Sequence, residues 1–139
     1  MTLGWVTLAL LGAVCAALVA IFGKIGLQGI DTTVATTVRA VIMAVFLVVV
    51  SVSLGKVSLA ALPHGRPLLF IALSGIAGAL SWLFMFSALK LGPAPGVSAV
   101  DRLSVVFVLI FSILFLSTQF TWKATLGAAM ITVGAILMI

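Results

Sequence analysis

The chain has 139 residues, of which 65% are hydrophobic and 6% charged, and seven lysines and arginines stand against two aspartates for a net charge of +5. A soluble domain carries about 25% charged residues and can bury only part of its apolar surface, so most of this chain must meet lipid. The basic residues are scattered singly rather than gathered in a stripe, which excludes a nucleic-acid surface.

The N-terminal apolar stretch, 3–22, has no lysine or arginine ahead of it and is longer than the hydrophobic part of a signal peptide, so it reads as a first retained span. Gly23-Lys24 is expected to end it. Within it Gly12, Ala16 and Ala20 fall at i, i+4 and i+8, a spacing that lets helices approach closely in lipid. Cys15 is the lone cysteine and reads as a small packing residue. Asp31 then stands where it would cap the second span, 33–54, which Gly55-Lys56 closes. The longest connection, Lys56 to Arg66, contains Pro63, His64 and Gly65, with His64 read as a solvated loop residue. A third span, 67–89, opens on Pro67 and carries Ser74 and Gly78 at packing spacing. The fourth, 94–116, opens on Ala94-Pro95. The fifth, 123–139, is about 17 residues, the short end of what crosses a bilayer, with Gly127 and Gly134 sharing a face. The expected fold is therefore all-α, a single polytopic domain of five transmembrane helices without a soluble module.

Five spans put the two termini on opposite sides. The side of the N-terminus receives Lys56, Arg66 and Lys123. The other receives Lys24 and Lys90, with Arg39 and Arg102 deeper in the spans that start there. An excess of at most one basic residue specifies orientation weakly. The balance points to dual topology, with copies inserted both ways and paired as an antiparallel homodimer; a single orientation set by a small bias is the alternative.

Charges within spans are costly and mark function by default. Arg39 and Asp101 each lie about seven residues into a span, roughly 10 Å deep, and Trp82, eight residues before Lys90, lies about 12 Å deep. Arg39, Trp82, Asp101 and Arg102 thus share one level. They read as a substrate-binding or gating set lining an aromatic-walled pocket. A structural Arg39–Asp101 pair, a snorkelling Arg102 and a plain core role for Trp82 are the alternatives. Asp101 is the one carboxylate within a span and the candidate carrier of a coupling ion. Trp5 and Trp122 read as interface anchors. No metal cluster, nucleophile–base set or phosphate-cradling glycine loop is present in the sequence, so neither an enzyme nor a cofactor is expected.

Three stretches resemble the EamA-like branch of the drug/metabolite transporter superfamily. They are Lys24-Ile25-Gly26-Leu27-Gln28-Gly29-Ile30-Asp31 continuing to Ala35-Thr36-Thr37-Val38-Arg39, then Ser87-Ala88-Leu89-Lys90-Leu91-Gly92, and Val100-Asp101-Arg102-Leu103-Ser104-Val105-Val106-Phe107. The ending Leu114-Phe115-Leu116, with Thr121-Trp122-Lys123 and Leu126-Gly127, fits as well. The resemblance implies a five-helix unit. Larger members fuse two such units as inverted repeats around a substrate cavity, and a lone unit would supply both halves by antiparallel dimerisation. Relatives commonly have Gly-Glu where this chain has Ser117-Thr118, and often a basic residue in place of Ser87. The first span has no glutamate of the kind used by the small multidrug resistance family, so that mechanism does not carry over. The implied activity is alternating-access transport of a small metabolite, drug-like compound or lipid-linked molecule, in a bacterial inner membrane. An anionic or zwitterionic substrate suits two arginines. A membrane scaffold or regulatory subunit and a lipid flippase are the competing classes.

Overall fold

In the computed structural model, the described residues are 3–56, 65–116 and 121–139; His64, Ser117 and Thr118 lie outside them. Those residues form six helices and no strand: α1 (Leu3–Gly26), α2 (Thr32–Ser53), α3 (Arg66–Leu91), α4 (Ala94–Asp101), α5 (Ser104–Leu116) and α6 (Trp122–Ile136). Four stretches are long and apolar enough to cross a bilayer: α1, α2, α3, and α4 with α5 taken together as Ala94–Phe115. At 15 residues, α6 spans about 22 Å, less than the hydrocarbon core. The all-helical membrane architecture is thus present, with α6, the expected fifth span, ending at Ile136.

Local chemistry sets the helix ends. Asp31 caps α2, its Oδ1 accepting from the backbone N–H of Thr33 at 2.8 Å and of Val34 at 3.2 Å. At the other end of α2, Lys56 N–H bonds to the Ser51 carbonyl and Gly55 N–H to that of Val52, a Schellman closure that needs a positive φ at Gly55, here 63°. Pro93 caps α4 and Pro95 sits in its first turn, where a missing N–H costs no helical bond. One expected boundary differs. Gly23-Lys24 does not end α1, which runs on to Gly26; a glycine inside a helix only weakens it. The turn instead needs Gly29, at φ 76°.

The expected fourth span, 94–116, is not one continuous helix. Between α4 and α5 the backbone tightens to i−3 bonding: Arg102 N–H donates to Ala99, Leu103 to Val100, Val105 to Arg102 and Val106 to Leu103. Val105 thereby withholds from the Asp101 carbonyl the bond that a continuing α-helix would give it. Neither glycine nor proline stands at this step; it coincides with the charged pair Asp101-Arg102.

The chain divides into two compact units, Met1–Ile25 with Leu91–Ile139, and Gly26–Lys90. In the first, α6 packs on α4 and α5. Its tightly buried residues are small: Ala20, Ala94, Gly96, Ala128 and Ala135. Small residues let helices approach until dispersion holds them, the main attraction available where lipid removes the hydrophobic drive. The α6 face that packs is Thr125, Ala128, Thr132 and Ala135, while Gly127 and Gly134 are exposed with nothing near them. The seven-residue spacing was legible, but the seam lies one position further along. Gly12 and Cys15 likewise face outward, and the α1 seam is Ala16, Val19, Ala20 and Gly23.

In the second unit the most enclosed side chains are Leu27, Phe86 and Leu89, the last with no accessible surface. The half-buried stripe of α2 is Thr32, Ala35, Thr36 and Arg39, at helical spacing. Beyond it every residue from 40 to 49 is exposed, as are the first eleven residues of α3. Trp5 and Trp122 are exposed at their helix starts, as interface anchors would be.

Gly96 is the tight point of the first unit. A Cβ there would lie 3.2 Å from the Met138 carbonyl oxygen and 3.5 Å from Pro93 Cγ. Gly96→Leu should destabilise the detergent-solubilised protein by about 1–3 kcal/mol through overpacking, whereas Gly134→Ala should be neutral. Thermal unfolding of the two variants side by side checks this. An equal melting temperature for both would refute the close α4–α6 approach.

Candidate functional site

The second unit places two of the four expected residues in contact. Arg39 emerges from the stripe of α2, and Trp82 and Phe86 lie four residues apart on one face of α3. The Arg39 guanidinium carbon lies 3.5 Å from the centre of the Trp82 ring system and 5.6 Å from that of Phe86. The two rings meet edge to face, 5.8 Å between centroids and 83° between planes. A guanidinium on an indole face is held by the ring quadrupole, worth about 0.5–2 kcal/mol depending on desolvation. Phe86 braces the indole from the side while itself 4% exposed. Sequence reasoning missed Phe86. Its signal was the i, i+4 spacing from Trp82, which an argument based on depth alone passes over.

Stacking occupies one face of the guanidinium and leaves its N–H donors pointing in the plane. Within its own unit, no acceptor among the described residues takes a hydrogen bond from Arg39. The hydroxyls nearest in sequence are turned back into the helix, Thr36 to the Thr32 carbonyl and Thr37 to that of Thr33. Ser87 likewise donates to the Leu83 carbonyl.

Asp101 and Arg102 belong to the first unit and flank the helix break; both are exposed. Asp101 is the last residue of α4, and Arg102 caps it at φ −65°, ψ −15°. A cation at a helix C-terminus offsets the partial negative charge of the last carbonyls.

Two lysines add fixed points that sequence reasoning counted only as charges. Lys24 Nζ donates to the Gly92 carbonyl at 2.8 Å within the first unit, and Lys90 Nζ to that of Ile30 at 3.0 Å within the second. Each sits in the last turn of its helix and bridges to a loop carbonyl distant in sequence, 68 residues away for Lys24 and 60 for Lys90. Lys90 thereby lies beside Asp31. The Asp31 carboxyl is held below its ordinary pKa by the Val34 and Thr33 backbone N–H groups first, with the Lys90 charge adding a little.

Residues 3–139 match the EamA-like transporter family. A protein of Sinorhizobium sp., named an uncharacterized transporter in the cobO 3′ region, is 41% identical over 138 residues, covering 99% of this chain and 98% of its own length. No solved structure matches the chain.

Two predictions arise from this geometry. With Trp5→Phe and Trp122→Phe leaving Trp82 as the one tryptophan, Arg39→Gln should shift Trp82 emission and Arg39→Lys should shift it less; identical spectra would rule out the stack. For Asp31, the folded carboxyl titrates below the unfolded one. Its cap therefore contributes fully above the unfolded pKa and is lost as pH falls through the lowered folded value. Asp31→Ala should reduce the melting temperature at neutral pH and leave it closer to wild type in acid, as a pH series of thermal melts would show.

Proposed function

The chain belongs to the EamA-like transporter family, and we propose that it moves a small metabolite, drug-like compound or lipid-linked molecule across a bacterial inner membrane by alternating access, as an antiparallel homodimer. That it is a membrane transporter follows from the family; the rest is our reading. The observation that carries it is the Arg39 guanidinium lying on Trp82 at 3.5 Å inside a transmembrane helix. A charge at that depth is costly, and such residues line substrate and ion paths.

Three further features support the reading. The near balance of lysine and arginine between the two sides favours insertion in both orientations. The uncovered lengths of α2 and α3, with Gly12, Gly127 and Gly134 facing outward, leave apolar helix surface for a second copy. The i−3 step at Asp101-Arg102 interrupts the α-helical bonding of this span, and interrupted helices are where transporters place substrates and ions. In this scheme Arg39 and Trp82 bind or gate the substrate. Asp101 carries the coupling ion, and Arg102 lines the path at the break. Neither a cofactor nor a metal takes part, and the chain is a carrier rather than an enzyme.

The test combines topology with uptake. In a Cys15→Ala background, single cysteines at the C-terminus and in the Lys56–Arg66 loop should be labelled from both sides of sealed membranes. Arg39→Ala should reduce uptake into proteoliposomes to background while leaving the dimer intact by size exclusion. Labelling from one side only would refute dual topology. Unchanged uptake by Arg39→Ala would refute the site.

A further inference from the structure

We infer that the edge of the Arg39 guanidinium is a receptor for a single carboxylate group, and that the transported molecule is a small organic monocarboxylate whose remainder is apolar. This rests on the transport reading and narrows its substrate class.

The first argument is one of unused donors. Trp82 holds the guanidinium by its face, with Phe86 bracing the indole. The stack fixes the plane of the group and leaves the N–H fork, which matches a carboxylate bidentately. The second is one of charge. Residues 26–90 contain one carboxylate, Asp31. Its Oδ1 is engaged by Thr33 and Val34, and it stands eight residues from Arg39, about 12 Å along the helix. Nothing within this unit among the described residues neutralises Arg39, so an arriving anion would supply the missing charge.

The same facts exclude other classes at this position. A cation would meet a like charge, and the indole face that could cradle an ammonium is already covered by Arg39. The ammonium of a zwitterion would find no carboxylate beside the fork, because the one carboxylate of this unit, Asp31, stands about 12 Å away along the helix. A phosphate dianion would bring one charge too many to a site of low polarity. The enclosed side chains nearest Trp82, Phe86 and Leu89, are apolar, as is every residue of α2 from 40 to 49; the hydroxyls of Thr36 and Ser87 are polar groups nearby in sequence.

The full chain, with Trp82 as its one tryptophan, would be reconstituted in phosphatidylcholine vesicles and titrated with four probes. These are cyclohexanecarboxylate, cyclohexanecarboxamide, cyclohexylammonium and inorganic phosphate, none of which absorbs with tryptophan. The carboxylate should shift Trp82 emission saturably, with apparent affinity about tenfold or more above that of the amide, a difference of about 1.4 kcal/mol. Ammonium and phosphate should give no saturable shift. Arg39→Gln should abolish the carboxylate response. Arg39→Lys keeps the charge but loses the fork, and should weaken the response severalfold. It also serves as the comparison if the glutamine variant does not fold. Stronger binding of phosphate or ammonium, a carboxylate response that survives Arg39→Gln, or no response to any probe would overturn the inference. Protein-dependent uptake of labelled cyclohexanecarboxylate, measured above passive leak, separates the two readings. Uptake without a Trp82 response defeats the carboxylate site and leaves transport standing. A saturable, Arg39-dependent response without uptake of this probe supports the site, and absence of uptake for every solute tried would defeat transport alone.

Discussion

Hydrocarbon offers no hydrogen bonds, so polar groups along a span must find partners within the protein. Several hydroxyls do so inside their own helices: Thr36 bonds to Thr32, Ser53 to Val49, Ser87 to Leu83 and Thr132 to Ala128, each to the carbonyl four residues back. The lysines at the ends of α1 and α3 obey it by reaching loop carbonyls. Arg39 obeys it differently, since its partner is the face of Trp82. A cation–π contact satisfies charge without consuming N–H donors, so Arg39 is held in place and still able to bind. A carboxylate partner from the same unit would have held it equally well and left less for a substrate.

Packing follows from the same solvent. Where lipid is as apolar as leucine, burying leucine gains little, and the first unit is closed by alanine and glycine seams. Large side chains face outward along nearly every helix, as they should when the surroundings are acyl chains. Phe86 and Leu89 are exceptions, and both lie in the last turns of α3, close in sequence to Trp82 and Lys90. The best-enclosed part of the second unit is thus the part that positions the candidate site.

The spans were legible in the sequence because a run of about 20 apolar residues admits few other readings. The Asp31 cap and the Gly55 closure were legible because each depends on one residue type with a specific job. The level shared by Arg39 and Trp82 was legible from helical rise alone. Three things were not. Hydropathy cannot see the step at Asp101-Arg102, because an i−3 turn has the same composition as an i−4 turn. Spacing found a seven-residue small-residue repeat on α6 but could not choose between Gly127/Gly134 and Ala128/Ala135, which differ by one position and have the same period. The bracing by Phe86 depends on which face α3 turns toward α2, and composition does not determine that.

The two arginines within the apolar spans differ in what accounts for them. Arg102 follows the last residue of α4, where its charge offsets the helix's negative end, and it is exposed. Helix electrostatics alone justifies a basic residue there. Arg39 lies in the interior of α2, two turns past the cap, where no helix end calls for a cation. Replacing a desolvated charge by an apolar residue of similar size is commonly neutral or stabilising. The contact with Trp82 returns only about 0.5–2 kcal/mol against the cost of a charge within a span, so among the candidate residues Arg39 is the one that a ligand best accounts for.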